Sequence, residues 1–165
     1  MKVFGIAGWS NAGKTTLIER LLPRLTSRGL RVSLVKHAHV KFDVDRPGKD
    51  SYRFREAGAA EVLISSPVRW ALMHEHRGDA EPGLPDLLAR LSDCDLALVE
   101  GWKHDPIAKL EVHRVANGKP LLAPDDAGIL AIASDAPVVS ALPRFHLDDI
   151  DAIAAFVVAA TGLDG

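Results

Sequence analysis

Apolar residues near the start of the chain follow a pattern that predicts a strand, a helix and a second strand. Residues 3–7 form an apolar run typical of a buried strand, and residues 14–28 repeat apolar side chains at helical spacing. Pro23 lies inside this helix and removes one backbone hydrogen bond, so we expect a bend there. Residues 30–35 form the next apolar run. These segments together predict a right-handed βαβ unit.

Apolar runs continue to alternate with helical and polar stretches along the rest of the chain. Residues 61–65 and 69–76 predict an antiparallel hairpin on a sheet edge, and residues 95–100 predict a strongly buried strand. Polar and apolar residues alternate over 109–115, which is typical of an edge strand. Further core strands are expected at 128–133 and 138–139, and further helices at 51–60, 85–92 and 147–161. The order predicts a single domain, residues 1–165, of the three-layer α/β class with a mostly parallel sheet.

Residues 8–16, Gly-Trp-Ser-Asn-Ala-Gly-Lys-Thr-Thr, match the phosphate-binding pattern G-x-x-x-x-G-K-[ST] in full. The two glycines allow backbone angles with which successive N–H groups can point towards phosphate oxygens. Lys14 supplies charge for the β- and γ-phosphates, and Thr15 supplies a hydroxyl for Mg²⁺. Because strand, loop and helix follow in the required order, we interpret the chain as a phosphate-loop NTPase domain. The predicted nucleotide-binding residues in this loop are Gly8, Ser10, Asn11, Ala12, Gly13, Lys14, Thr15 and Thr16.

A carboxylate at the end of a predicted strand is the first candidate metal ligand. Glu100 closes the apolar run 96–99, and ligands gather at the carboxyl ends of strands in open α/β sheets. In phosphate-loop enzymes an acid at this position reaches Mg²⁺. Asp43 and Asp45 lie in the polar loop after the second strand, where a solvated loop is the alternative. We predict Thr15, Glu100 and Asp43 as metal-binding residues, and the catalytic residues stay open, with Asp43 and Glu100 as candidates.

A further carboxylate, Asp135, follows another predicted core strand. It could accept hydrogen bonds from N1–H and the exocyclic amine of guanine, which adenine cannot donate in the same way. A turn-forming aspartate before Pro137 is the alternative. We predict Asp135 as a nucleotide-binding residue that favours guanine.

Two pairs of histidines raise the question of a transition-metal site. His37 and His39 are two residues apart, and so are His74 and His76. In an extended chain each pair faces one side, and imidazoles suit Zn, Ni or Cu. The alternative is four polar histidines on loop and edge positions, and the sequence leaves open whether the two pairs converge.

Charge and composition indicate where the protein is located and which classes of partner it lacks. The 20 basic and 22 acidic residues nearly balance, which indicates no broad attraction to nucleic acid or to a membrane. The chain has no apolar stretch of the roughly 20 residues that span a bilayer. Its single cysteine, Cys94, excludes an intrachain disulfide. These features predict a cytoplasmic protein with neither a nucleic-acid nor a membrane partner.

The motifs resemble those of the molybdopterin-guanine dinucleotide biosynthesis protein B (MobB) family. Besides the phosphate loop, the similar segments are Lys36-His37-Ala38-His39, Phe42-Asp43-Val44-Asp45, Pro47-Gly48-Lys49-Asp50-Ser51-Tyr52, Glu56-Ala57-Gly58-Ala59-Ala60, Arg69-Trp70-Ala71-Leu72-Met73, Leu98-Val99-Glu100-Gly101 and Lys103-His104. The similarity covers nearly the whole chain. The segment 47–51 is the most specific, because a generic phosphate-loop enzyme has no reason to carry it. The chain departs from the family at Val40, where a second histidine often follows the one matching His39.

This resemblance implies a GTP-binding homodimer that uses Mg²⁺ and is at most a weak GTPase. It further implies a role in molybdenum cofactor biosynthesis, at the step that attaches a guanine nucleotide to molybdopterin. The expected partners are the molybdopterin nucleotidyltransferase, for which the protein would act as an adapter, and the molybdoenzyme apoproteins. The hairpin at 62–76, with its apolar residues, is expected to contribute to the dimer interface.

Two other functions stay open for a phosphate-loop domain of this size. A small-molecule kinase would need arginines that close on the phosphates, and Arg53, Arg55 and Arg69 are the candidates. A GTPase that delivers metal would need the two histidine pairs to converge.

Overall fold

A six-stranded parallel sheet is the centre of the larger of two compact units. The computed structural model describes residues 1–38 and 42–164. The first unit comprises Met1–His37 and Leu84–Gly165, and the second comprises Ala38–Gly83. In chain order the elements are β1 (Lys2–Ala7), α1 (Lys14–Thr26), β2 (Val32–Lys36), α2 (Asp50–Glu56), β3 (Glu61–Ser65), β4 (Trp70–His74), α3 (Leu84–Leu88), β5 (Leu96–Glu100), β6 (Lys109–His113), β7 (Ile129–Ser134), β8 (Arg144–His146) and α4 (Ile150–Thr161).

The strand order in the large sheet is β2-β5-β1-β6-β7-β8, and every neighbouring pair is parallel. Apolar side chains cover both faces, as a parallel sheet requires. On one face α1 and α4 pack together, with Leu21 and Ile153 fully buried against Phe4. On the other face Leu84 of α3 packs against Val99. The predicted three-layer α/β architecture is therefore confirmed.

Helix α4 closes the core with its most apolar face. Ile153, Ala154 and Val157 are fully buried, and Gly162 ends the helix with a φ of 65°. This glycine is the left-handed cap that helices commonly adopt at this position. Within the described part of the chain, no helix is both long enough and apolar enough to pass through a bilayer.

Two strand predictions were wrong in their details. Strand β6 lies between β1 and β7 in the middle of the sheet, and all of its residues are buried, so it is not an edge strand. The predicted strand at 138–139 does not form, and Val139 is 98% exposed. Besides β6, the other parallel neighbour of β7 is β8, where Phe145 packs against the core. Two apolar residues in a row are too short a run to define a strand. Phe145, further along the chain, makes the packing contact with the core instead.

The second unit contains the predicted hairpin. Strands β3 and β4 pair in antiparallel register, with Leu63 opposite Leu72 and Ser65 opposite Trp70. Among the described residues the hairpin forms a two-stranded sheet of its own instead of extending an edge of the large sheet. The side chains of Leu63 and Trp70 are largely exposed. The unit therefore presents apolar surface on one face of its hairpin.

Lys109 of β6 is buried, and its ammonium has partners inside the protein. Lys109 Nζ lies 2.7 Å from Asp126 Oδ2 and donates to the carbonyl oxygens of Lys103, at 2.9 Å, and Asp105, at 2.7 Å. Gly5 on the neighbouring strand leaves room for this side chain, since a Cβ there would lie 2.5 Å from Lys109 Cγ. The three donors of the ammonium are thus used, and they tie the loop after β5 to the sheet.

We predict that Lys109→Met lowers the free energy of unfolding by about 3 kcal/mol, the range for removing one partner of a buried ion pair. Urea denaturation followed by circular dichroism measures this loss. The exposed Lys2, at the start of β1, provides the control, because Lys2→Met should change stability by less than about 0.5 kcal/mol. Equal stability of the two variants would contradict the structural role of the buried ammonium.

Candidate nucleotide-binding site

The loop between β1 and α1 has the backbone of an anion-binding turn. Gly8, Asn11 and Gly13 have φ values of 144°, 62° and 99°, and Gly13 is also the N-cap of α1. A Cβ at Gly8 would lie 2.4 Å from the carbonyl oxygen of Val112. Only glycine fits this position without moving the loop or β6. Left-handed residues at the start of a helix direct consecutive N–H groups towards one point, as anion sites require.

Lys14 lies at the mouth of this loop. Its Nζ donates to the carbonyl oxygens of Gly8 and Trp9, both at 3.0 Å. Burial lowers the pKa of Lys14, the nearby Glu100 carboxylate opposes that shift, and two neighbouring ammonium groups add to it. Those neighbours belong to Lys36 and Lys103. The loop is therefore a concentration of positive charge beside the N-terminus of α1, where the helix dipole also favours anions.

The predicted metal ligands Thr15 and Glu100 are brought together by the structure. Thr15 Oγ1 donates to Glu100 Oε1 at 3.3 Å. Lys36 joins them: its Nζ donates to Thr15 Oγ1 at 3.3 Å and lies 3.3 Å from Glu100 Oε2. Glu100 is buried, at 7% exposure. A hydroxyl and a buried carboxylate are hard oxygen donors of the kind that Mg²⁺ prefers, so the donor set fits that ion.

The remaining predicted loop residues lie around this centre. Ala12 is buried and its N–H donates to the carbonyl of Trp9 at 3.2 Å. Ser10 and Thr16 are exposed, and the carbonyl of Ser10 accepts a hydrogen bond from Asn117 Nδ2 at 3.3 Å. The segment after β6 is therefore in direct contact with the loop, a contact that was not predicted from the sequence.

A cationic and aromatic cluster beside the loop was also missed. Trp9 Nε1 donates to the carbonyl of Pro120 at 2.8 Å. The ammonium groups of Lys103 and Lys119 lie 4.7 Å and 5.8 Å from the centre of its ring, within the range of cation–π attraction. Trp9 thus connects three segments that are distant in sequence. The sequence contained no signal for this grouping, because it depends on the positions of the loop after β5 and the loop after β6.

Glu111, a second buried charge of β6, holds one of those segments. Its carboxylate is fully buried and accepts hydrogen bonds from the backbone N–H groups of Leu122, at 2.8 Å, and Ala123, at 2.9 Å. These donors satisfy the charge without a basic side chain. Glu111 therefore fixes the loop that carries Pro120, and through it the orientation of Trp9.

Asp135 lies at the end of β7 with Arg114 beside it. Asp135 Oδ1 accepts a hydrogen bond from the N–H of Val115 at 3.0 Å, and its Oδ2 lies 3.6 Å from Arg114 Nη1. Arg114 Nη2 would lie 3.3 Å from a Cβ at Gly13, so this guanidinium lies against the phosphate loop. The candidate arginines predicted from the sequence all lie in the second unit, and Arg114 was not among them. The predicted role of Asp135 in base recognition stays a prediction.

Asp43 belongs to the second unit, where it takes part in a network around Arg55. Asp43, Asp45 and Glu75 contact this guanidinium at 2.9, 3.4 and 2.8 Å. The N–H of Asp45 lowers the pKa of the Asp43 carboxyl, and Arg55 lowers it further. Ser51 Oγ donates to Asp45 Oδ1 at 2.9 Å. The metal-binding and catalytic roles of Asp43 stay predictions, and its carboxylate is already engaged by a cation of its own unit.

Three of the four histidines lie among the described residues, and each has a local contact. The His37 ring lies 5.0 Å from the ring of Trp102. His74 Nδ1 lies 2.8 Å from Glu61 Oε1, and the rings of His74 and His76 are 5.5 Å apart. His39, like Val40 and Lys41, lies outside the described residues. Among residues 1–38 and 42–164, no three His, Cys, Asp or Glu side chains are grouped so that they could hold a metal ion.

The parallel sheet, the glycine loop with Lys14 at the start of α1, and the pairing of Thr15 with Glu100 define the phosphate-loop class of α/β proteins. The chain belongs to the MobB family, since the family model described as molybdopterin guanine dinucleotide synthesis protein B matches residues 3–135. The predicted resemblance is therefore confirmed.

Individual relatives agree with this membership. The chain is 43% identical to the molybdopterin-guanine dinucleotide biosynthesis adapter protein of Escherichia coli (strain K12), over 94% of this chain and 91% of that protein. It is 41% identical to the protein of the same name from Haemophilus influenzae, over 94% of this chain and 86% of the relative. A crystal structure of molybdopterin-guanine biosynthesis protein B superimposes with a TM-score of 0.76 at 31% identity, covering 96% of this chain and 99% of that one.

We predict that Gly8→Ala lowers the free energy of unfolding by about 2–4 kcal/mol, because backbone strain adds to the collision with the Val112 carbonyl. Gly29→Ala is the matched control. Gly29 also has a positive φ, of 83°, but a Cβ there meets nothing within 4 Å, so strain alone should cost about 1 kcal/mol. Thermal or urea denaturation measures both losses, and a smaller loss for Gly8→Ala than for Gly29→Ala would contradict the described loop geometry.

Proposed function

We propose that this protein binds GTP with Mg²⁺ at the loop of residues 8–16 and acts as an adapter in the synthesis of molybdopterin guanine dinucleotide. The observation that carries the proposal is the meeting of Lys14, Thr15, Glu100 and Lys36 at the carboxyl edge of a parallel sheet. That edge is where α/β proteins bind ligands. The relatives at 43% and 41% identity carry the name of an adapter in this synthesis, which supports the second part of the proposal.

The triphosphate would bind through the backbone N–H groups of the loop and the ammonium of Lys14. The carbonyls that now accept from Lys14 Nζ hold the side chain across the loop mouth. A long flexible stem allows the same ammonium to reach phosphate oxygens instead. A magnesium ion would use Thr15 and Glu100 and would neutralise phosphate charge.

Guanine recognition is assigned to Asp135. The hydrogen bond from the N–H of Val115 fixes the orientation of its carboxylate, and a carboxylate accepts but does not donate. Guanine offers two adjacent donors to such a group. The base would then lie beside the end of β7, on the side of the loop where Arg114 contacts Gly13.

The adapter role implies protein partners and slow turnover. We propose that the partners are the nucleotidyltransferase that makes the guanine dinucleotide and the apoproteins that receive it. Fast phosphoryl transfer relies on a cation directed at the γ-phosphate. Arg55, a candidate for that role in a kinase, is held by three carboxylates, and Arg114 is next to Asp135. At most a weak GTPase activity is therefore expected, and the kinase alternative is less well supported.

We predict that Lys14→Ala weakens GTP binding by at least about 100-fold, because the variant loses charge-assisted bonds to phosphate. Isothermal titration calorimetry with GTP, GDP and ATP, each with and without Mg²⁺, measures this loss and the preference for guanine. Lys2→Ala, at the opposite end of β1, removes the same charge and should bind GTP as the parent does. Equal GTP affinity of the parent and Lys14→Ala would contradict the assignment of the loop.

We predict that Glu100→Gln lowers Mg²⁺-dependent GTP hydrolysis about 100-fold, since the amide lacks the charge that attracts the ion. The amide retains an oxygen for the Thr15 hydroxyl, so nucleotide binding in EDTA should not weaken. Phosphate release and calorimetry provide the two measurements. Unchanged hydrolysis would assign the metal to another acid, with Asp43 as the next candidate.

We predict a homodimer in solution, with the β3–β4 hairpin in the interface. Light scattering at micromolar concentration should give twice the mass of the chain, and Leu63→Glu should reduce it towards the monomer, because Leu63 is 62% exposed on the apolar face of the hairpin. Val139→Glu, which changes an exposed apolar residue of the other unit, should remain dimeric. A monomeric parent protein would refute the prediction.

A further inference from the structure

A lysine lies between the two residues that we assign to magnesium. Lys36 Nζ is 3.3 Å from Thr15 Oγ1 and 3.3 Å from Glu100 Oε2, while Thr15 donates to the other oxygen of the same carboxylate. We infer that Lys36 is an internal cation that competes with the divalent metal ion for Glu100. The inference rests on the proposed nucleotide-binding function and adds a residue that sets how strongly nucleotide binding depends on metal.

The backbone places Lys36 at this point with little freedom. Lys36 is the last residue of β2 and is opposite Glu100 in the register of β2 with β5. The next residue, His37, donates its N–H to the carbonyl of Glu100 at 2.8 Å. A Cβ at Gly101 would lie 2.7 Å from the Cβ of His37, so the two strand ends are in close contact. Both side chains therefore start from fixed positions on neighbouring strands.

The side chain of Lys36 is free to move although its backbone is fixed. It is 50% exposed, whereas the Glu100 side chain is 9% exposed. Four methylene groups separate the ammonium from the strand, so it can leave the carboxylate without disturbing the sheet. The carboxylate itself cannot reach water to the same extent.

Charge compensation is the reason that Lys36 and the metal exclude each other. A buried carboxylate is unfavourable unless a cation or hydrogen-bond donors replace the lost water. Lys36 supplies this compensation at Oε2, and a divalent ion held by Thr15 and Glu100 would supply it instead. Two cations at one carboxylate repel each other, so binding of the metal requires the ammonium to leave.

The consequence for nucleotide binding follows from thermodynamic linkage. Without metal, Lys36 neutralises Glu100 and so reduces its repulsion of the phosphates. With metal, the ion would supply this neutralisation and the Lys36 ammonium would leave Glu100. The ratio of nucleotide dissociation constants in EDTA and in Mg²⁺ equals the ratio of metal affinities with and without nucleotide. Because Lys36 favours nucleotide binding only when the metal is absent, it lowers the dissociation constant in EDTA and so keeps this ratio small.

The experiment measures that ratio with GDP by calorimetry in the full chain, for the parent, Lys36→Gln and Lys103→Gln. Lys36→Gln should raise the ratio about fivefold, the upper range for a partly exposed ion pair. Lys103 also lies close to Lys14, with its ammonium over the Trp9 ring, so Lys103→Gln removes the same charge from the same area and should leave the ratio unchanged. Lys36→Met, which keeps the apolar stem, is the second variant and should give the same increase as Lys36→Gln.

A direct measurement of metal affinity complements the ratio. Mn²⁺ binding to the GDP complex, followed by electron paramagnetic resonance, should be tighter in Lys36→Gln than in the parent. If Lys36→Gln weakens GDP binding by one factor in both EDTA and Mg²⁺, Lys36 is only a phosphate-binding lysine and the inference is overturned. A parent protein that binds no GTP, GDP or ATP in either solution would contradict the proposed function instead.

Discussion

The parallel pairing of β5 with both β1 and β2 is the constraint on which the candidate site depends. Glu100 is opposite Ile6 on one side and Lys36 on the other, so three strands end at the same level. The phosphate loop follows β1, Glu100 is the last residue of β5, and Lys36 is the last residue of β2. Because neighbouring residues in register point to the same face, Lys36 and Glu100 both face α1, which supplies Thr15. A shift of one residue in either pairing would move one of these side chains to the opposite face and separate the group.

The site also depends on charged side chains buried inside the sheet. Partners within the protein replace the water that these side chains lose on burial. β6 lies at the centre, yet it carries Lys109 and Glu111, whose charges are fully buried. Each uses its charge to hold a loop: Lys109 binds the loop after β5, and Glu111 binds the segment that contains Pro120. Those two loops bring Lys103 and the Pro120 carbonyl to Trp9. Charged residues in the core therefore determine the surface around the phosphate loop.

These two features differ in how far the sequence predicts them. The phosphate loop, the strand before it and the approach of Glu100 to Thr15 follow from a motif and from the rule that parallel strands end at one edge. The position of β6 does not follow, because alternation of polar and apolar residues indicates a half-exposed strand unless the partners of the polar residues are known. The partner of Lys109 is Asp126, and the partners of Glu111 are two N–H groups beyond a turn. Arg114 was missed for the same reason, since its contact with Gly13 depends on the pairing of β6 with β1.

The charges around the loop fit the proposed combination of nucleotide binding and slow turnover. Lys14 and Lys103 add positive charge that favours phosphates, and burial lowers the pKa of Lys14 without removing its donors. Two further cations near the loop are paired internally, Lys36 with Glu100 and Arg114 with Asp135. A cation that compensates a carboxylate of its own protein is not directed at the γ-phosphate, and directing it there would leave that carboxylate without compensation. Redirecting Arg114 is a step that a protein partner could perform by contacting the partly exposed carboxylate of Asp135. For the proposed adapter, this arrangement would let the nucleotide persist until the partner is bound.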